Sequence, residues 1–288
     1  MKPKLYKSLL YSMVGAGMLS LGSCTDLSET IYNQIASEKY EFTEKDAASM
    51  FAPVYSSLRN FYWAWYGYAD LDICTDMWVI PLRIGVGWGD LYINLHEHMF
   101  HSEIGHFSGW SNAYSGINAC NKLLADEAVQ ESEESVAQLR AYRALYYYLL
   151  FDLFRNIPLD TTYDHPDGWL PEQAEPQEVW DFIISELDDI KDKCGDEVEM
   201  GKINNYTVHM ILAKMYLNHN AWFDDHSDDS YYRKCVDELN VIIESNKFSL
   251  APNYADNFKE DISSSPEIIF GIPFEYLYAS GNYFANLW

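Results

Sequence analysis

Between Phe61 and Phe107 the chain carries Trp63, Trp65, Trp78 and Trp88 together with Tyr66, Tyr68 and Tyr92, and sets Asp70, Asp76, Arg83, Asp90 and Asn94 among them. Flat aromatic faces offer apolar surface to the C–H face of a sugar ring, and neighbouring carboxylate, amide and guanidinium groups bond its hydroxyls. Stacking tolerates variation along a polymer while the polar groups select stereochemistry, which suits a long polysaccharide. The competing use of such rings is to fill space between a loop and the body of a fold, the ordinary fate of any single Trp. Four of them in one irregular stretch are harder to bury together. A stretch this long without helical periodicity, inside a helical protein, usually carries function.

Other clusters are weaker candidates. His96, His98, His101 and His106 lie near Glu97 and Glu103, but their spacing fits neither H-E-x-x-H nor a zinc-knuckle pattern, so they read as polar loop residues and no metal is expected. The run Asp224 to Asp229 invites a calcium reading and fails the twelve-residue loop template: Asp229 stands where the glycine belongs and Cys235 where the bidentate glutamate belongs. It reads as a solvated turn between helices. Cys74, Cys120, Cys194 and Cys235 are scattered without a C-x-x-C pair; separate buried thiols are expected, with disulfides left open. No G-x-S-x-G, P-loop or G-x-G-x-x-G occurs, so neither a catalytic residue nor a cofactor is assigned. A glycosidase carboxylate pair stays open, because 44 acids offer many pairs whose separation in space the sequence does not give.

The elements that must position these residues are mostly helical. Periodicity predicts helices at about Glu44 to Asn60, Ser111 to Asp126, Ser132 to Arg155, Pro176 to Lys193, Asn204 to Ala221 and Tyr231 to Ser245. The third is apolar on most of its circumference and must be central; Pro158 predicts its end near Asn156. Arg140 and Arg143 on this helix are expected to pair with buried carboxylates, a structural role. The last two helices have the look of a tetratricopeptide unit, and the whole reads as a degenerate helical-repeat solenoid with an aromatic-rich loop inserted at 61–107. Ser264 to Pro273 reads as a strand.

The N-terminus is a processing segment. Lys2, Lys4 and Lys7 precede an apolar run from Leu9 to Leu21, and Leu21-Gly22-Ser23-Cys24 has the form of a lipoprotein cleavage box. Residues 1–23 would be removed and Cys24 acylated. That removal takes three lysines and no acid, leaving 16 of the 19 basic residues against 44 acidic ones, a formal charge of −28. A nucleic-acid partner is excluded on those grounds, since phosphate binding needs a positive surface.

Several stretches resemble the SusD/RagB family, outer-membrane lipoproteins that bind glycans beside a TonB-dependent transporter. Leu139 to Leu159 (LRAYRALYYYLLFDLFRNIPL) is similar to the family's signature helix. Trp110 to Leu124 (WSNAYSGINACNKLL), Gly201 to Leu217 (GKINNYTVHMILAKMYL) and Ser264 to Pro273 (SSPEIIFGIP) resemble further segments in matching order. The resemblance implies a mostly α, SusD-like fold: a helical-repeat domain over 24–263 and, over 264–288, the start of a C-terminal region that relatives continue well past Trp288. It also implies a surface-exposed outer-membrane lipoprotein that captures poly- or oligosaccharide, without cleaving it, for a SusC-like transporter. Acidic residues such as Asp26 and Glu29 behind Cys24 suit relatives exported to the surface. In glycan-binding members an Asp followed by Pro, Arg and Trp lies near the ligand; Asp76 to Arg83 with Trp88 resembles that pattern, which carries Trp78, Arg83, Trp88 and Asp90 over as glycan-binding candidates. Two other readings remain: a peptide-capturing relative of the RagB type and an all-α glycoside hydrolase. Where the family's C-terminal region would cover residues 266–288, the chain as it stands is expected to expose an aromatic patch, to be aggregation-prone and to bind glycan weakly.

Overall fold

The computed structural model describes residues 44–63, 72–80, 90–99 and 108–274, all within one compact unit, Glu44–Trp288. The lipobox with Cys24, the candidates Arg83 and Trp88, and the aromatic end of the chain after residue 274 lie outside the described residues. Eight α-helices are present among those described: α1 Glu44–Phe61, α2 Asp90–His96, α3 Gly109–Leu124, α4 Glu127–Gln130, α5 Glu133–Phe154, α6 Pro176–Ile190, α7 Asn205–Phe223 and α8 Ser230–Glu244. The six long ones match the periodicity to within three residues at either end. The short α2 and α4 are below what a periodic pattern can reveal.

The packing order follows the chain: α1 lies against α3, α3 against α5, α5 against α6, α6 against α7, and α7 against α8. Each helix covers its neighbour, as in a repeat solenoid. At the centre, α5 starts at Ser132, whose hydroxyl accepts the Ser135 N–H at 3.2 Å, with Glu133 and Glu134 in the first turn favoured by the helix dipole. Leu139, Tyr142, Tyr146, Tyr147, Leu150 and Phe151 are fully buried, so the helix is covered on nearly every side. Arg155 ends it at φ +58°, its N–H bonded to the Phe151 carbonyl at 2.8 Å. The stop comes two residues before the point that Pro158 alone predicts.

Buried tyrosines tie α5 to its surroundings through their hydroxyls. Tyr146 donates to the Val54 carbonyl in α1 at 2.6 Å, and Tyr142 donates to the Gly201 carbonyl at 2.5 Å. Burial pushes both phenols well above their ordinary pKa, which keeps them neutral donors. Gly116 in α3 lies directly under the Tyr146 ring, where a Cβ would fall among the ring carbons. A glycine there is what lets the two helices cross at this point.

The two arginines of α5 meet the carboxylates their burial demands. Arg140 reaches Glu186 Oε1 from Nε (3.1 Å) and Nη2 (2.9 Å) and also pairs with Asp189, while Arg143 Nη2 donates to Glu186 Oε2 at 2.6 Å. Arg143 Nη1 donates to Asn121 Oδ1 in α3 at 2.8 Å. Asn121 then uses its amide to hold the carbonyls of Asp160 (3.0 Å) and Thr162 (3.1 Å). One polar network thus joins α3, α5, α6 and the chain that leaves α5.

At the other end, α7 is capped by Asn204, whose Oδ1 accepts from the Thr207 N–H at 2.9 Å, and stops at Asp224 in the left-handed region. His209 of α7 meets Glu238 of α8 at 2.5 Å, and His219 stacks on Tyr231 with 3.5 Å between centroids. The expected strand over 264–273 does not form. Its backbone is bonded singly by other groups: Asn204 Nδ2 donates to the Ile269 carbonyl at 3.2 Å and the Gly201 N–H to the Gly271 carbonyl at 2.8 Å. Phe270 and Ile272 pack half-buried on the main core. The apolar run reflects burial against helices, which sequence pattern cannot separate from burial in a sheet.

Candidate functional site

Within the aromatic stretch two described pieces come together. Residues 72–80 and 90–99 share a small core of their own, Ile73, Tyr92 and Leu95, with Cys74 and Ile80 packed on it, which among the described residues is separate from the main helical core. Two histidines staple the pieces: His96 Nδ1 lies 3.2 Å from the Ile73 carbonyl and His98 Nε2 2.7 Å from that of Cys74. A carbonyl only accepts, so the proton sits on Nδ1 of the first ring and Nε2 of the second. Each imidazole thus holds a backbone carbonyl of the other piece. Thr75 closes the turn before Trp78, donating from Oγ1 to the Asp72 carbonyl at 2.6 Å and accepting the Met77 N–H at 3.2 Å.

Trp78 is half-exposed on this turn, between the exposed side chains of Met77 and Val79. Asp76 is exposed, Asn94 half-buried, and Trp63, just past the end of α1, is 38% exposed. Asp90 opens α2. The described rings are thus neither lost in the main core nor fully in water, a placement that offers aromatic faces beside polar groups. Among the described residues no group of three or more His, Cys, Asp or Glu is placed to hold a metal ion, and Cys74, Cys120, Cys194 and Cys235 are free thiols. The acidic run folds as local turns: Asp225 Oδ1 accepts from the N–H (3.0 Å) and hydroxyl (2.6 Å) of Ser227, and Asp228 does the same for Ser230 at 2.7 and 2.6 Å. Those bonds hold both carboxyls below the usual carboxylate range.

No protein-family model matches the chain. Among curated proteins it is similar to a SusD-like protein of Bacteroides ovatus, 23% identical over 171 residues, covering 55% of this chain and 31% of that protein. The starch-binding protein SusD of Bacteroides thetaiotaomicron is 25% identical over 127 residues, 43% of this chain and 22% of that one. Among solved structures, a SusD superfamily protein of Parabacteroides distasonis superposes with a TM-score of 0.67 at 22% identity, over 80% of this chain and 51% of that one. The chain shares the fold of this structure. A surface glycan-binding protein A of Bacteroides thetaiotaomicron, solved with laminarihexaose, is also similar, with a TM-score of 0.64, 22% identity, and 81% and 50% coverage. The chain thus aligns with less than a third of the curated relatives' length and about half of the solved chains. The helical-repeat reading and the family resemblance of the sequence stand together on these matches.

One aromatic feature of this SusD-like fold escapes the sequence reading: the His165 and Trp169 rings, which lie in the chain between α5 and α6. Its signal is local, a His-Pro-Asp-Gly-Trp turn at 165–169.

Proposed function

We propose that this chain is part of a surface-exposed outer-membrane lipoprotein that captures a poly- or oligosaccharide without cleaving it and passes it to a SusC-like TonB-dependent transporter. The observation that carries the reading is the match of four-fifths of the chain to a glycan-binding protein solved with laminarihexaose. Sequence similarity to a starch-binding protein supports it independently. In this reading residues 1–23 are a signal peptide, 24–263 the helical-repeat domain with its insertion at 61–107, and 264–288 the start of a further region. Trp78, Arg83, Trp88 and Asp90 contact the glycan. Stacking on the rings would hold the polymer, and the charged groups would bond its hydroxyls.

Titration calorimetry of the chain from Cys24 onward with laminarihexaose and maltohexaose tests the reading. Trp78→Ala is expected to weaken binding about fivefold to tenfold, the effect of one stacked ring, with thermal unfolding little changed. Normal affinity in a folded Trp78→Ala variant removes that residue from the site, and shortened oligosaccharide products by mass spectrometry would reverse the non-catalytic assignment. For the anchor, Cys24→Ala is expected to abolish acylation and release the protein from the membrane fraction; unchanged fractionation with an unmodified Cys24 in the wild type would refute it.

A further inference from the structure

The chain between α5 and α6 carries an aromatic pair with no role in the fold's core. The His165 imidazole and the Trp169 indole lie parallel, with 3.6 Å between centroids and 1° between planes. His165 Nε2 is 2.9 Å from Asp160 Oδ2, which fixes the rotation of the imidazole. Asp160 is itself gripped on both backbone polar groups by one side chain: the Tyr147 hydroxyl accepts its N–H at 2.8 Å and donates to its carbonyl at 2.6 Å. Tyr147 is fully buried in α5, and Asn121 bonds the same carbonyl. On the far side of the pair, Gly168 at φ +81° makes the return that folds the indole back over the imidazole, and the Trp169 N–H donates to the Pro166 carbonyl at 3.0 Å. Glycine is required there because other residues rarely adopt that conformation.

A series of contacts therefore runs from the buried core to the indole. Even so, 40% of Trp169 is exposed, and Tyr163, six residues earlier in the same segment, is 44% exposed with Lys122 lying 5.6 Å from the centre of its ring. Since the imidazole covers one face of the indole, the exposure belongs to the other face and the edge. A large ring held flat at the surface and backed by a second ring loses little conformational freedom when something stacks on it. The segment that carries it is rich in acceptors: Asp164, Asp167 and Glu172 are exposed, and from Asn156 to Glu175 there is no Lys or Arg, although Lys122 of α3 lies against Tyr163. That polarity repels anions and suits a neutral ligand rich in hydroxyl donors with an apolar C–H face.

We infer that Trp169, backed by His165, is a stacking subsite for a neutral saccharide, separate from the Trp78 turn. The inference rests on the glycan-binding reading above and adds a second point of contact to it. The test is calorimetric titration of the full chain and of Trp169→Ala, Trp169→Phe and Trp78→Ala with laminarihexaose and maltohexaose. Trp169→Ala is expected to lose about fivefold or more in affinity for whichever probe the unsubstituted chain binds, and Trp169→Phe to keep most of it. Thermal unfolding should stay in place, because the ring is outside the core. Unchanged affinity in Trp169→Ala beside a loss in Trp78→Ala overturns the subsite and leaves the glycan-binding reading standing. No binding of either probe by the unsubstituted chain overturns both.

Discussion

Glu186→Ala is expected to cost about 3–5 kcal/mol of stability, the range for removing one side of a buried ion pair. Glu186 is the shared acceptor of Arg140 and Arg143, and its side chain is only 12% exposed, like that of Arg143 at 9%. Arg140 keeps Asp189 at the surface, but Arg143 would retain only uncharged partners: Asn121, a long contact to the Thr161 carbonyl at 3.4 Å and the Phe182 ring. Its charge would then be buried without a counter-charge, and its Nε already has no partner. The measurement is chemical denaturation of the single variants and of Glu186→Leu combined with Arg143→Met. Removing both charges should recover more than half of the loss, since an apolar pair of similar volume leaves no orphaned ion. A double variant as unstable as the sum of its singles would show that the two groups do not act as a pair.

Gly116→Ala should be the most damaging single methyl among the described residues. Alanine normally gains about 1 kcal/mol over glycine within a helix. Here its Cβ would enter the space of the Tyr146 ring, which is fully buried and tethered by its hydroxyl to Val54. Overpacking of this kind costs roughly 3 kcal/mol or more when the blocking group cannot move aside, so steric cost wins over propensity. Thermal unfolding of Gly116→Ala is expected several degrees or more below the parent, on the order of 2–4 °C per kcal/mol for a chain of this size. Adding Tyr146→Leu, which shrinks the blocking group, should give a combined loss smaller than the sum of the two. A Gly116→Ala variant as stable as the parent would mean that α3 and α5 can separate freely, contrary to their packing.

The long helices were legible because each leaves two independent marks in sequence, an apolar stripe and an end signal. Ser132 and Asn204 cap, Pro176 opens, and the burial of α5 follows from the width of its stripe. The stretch 264–273 misled because Ile268, Ile269, Phe270 and Ile272 read alike against helices or in a sheet. The polar network was half-visible: burial of Arg140 and Arg143 demanded carboxylates, but nothing in the sequence placed Glu186, 43 residues on from Arg143, between them. In the candidate site the rings were legible by composition. The staples were not, because the roles of His96 and His98 depend on which carbonyls lie opposite them.

The small core around Ile73, Tyr92 and Leu95 has a thermodynamic consequence for anything that binds at Trp78. Among the described residues the unit rests on three buried side chains and two histidine staples, and any opening of it makes its closed form an equilibrium population of its own. A ligand that recognises only the closed form binds with an affinity reduced by the fraction of time that form is absent, and each ligand bound shifts the balance toward it. Substitutions at Ile73 or Leu95 would in this way act on affinity without touching the ligand, and the main solenoid would keep its stability.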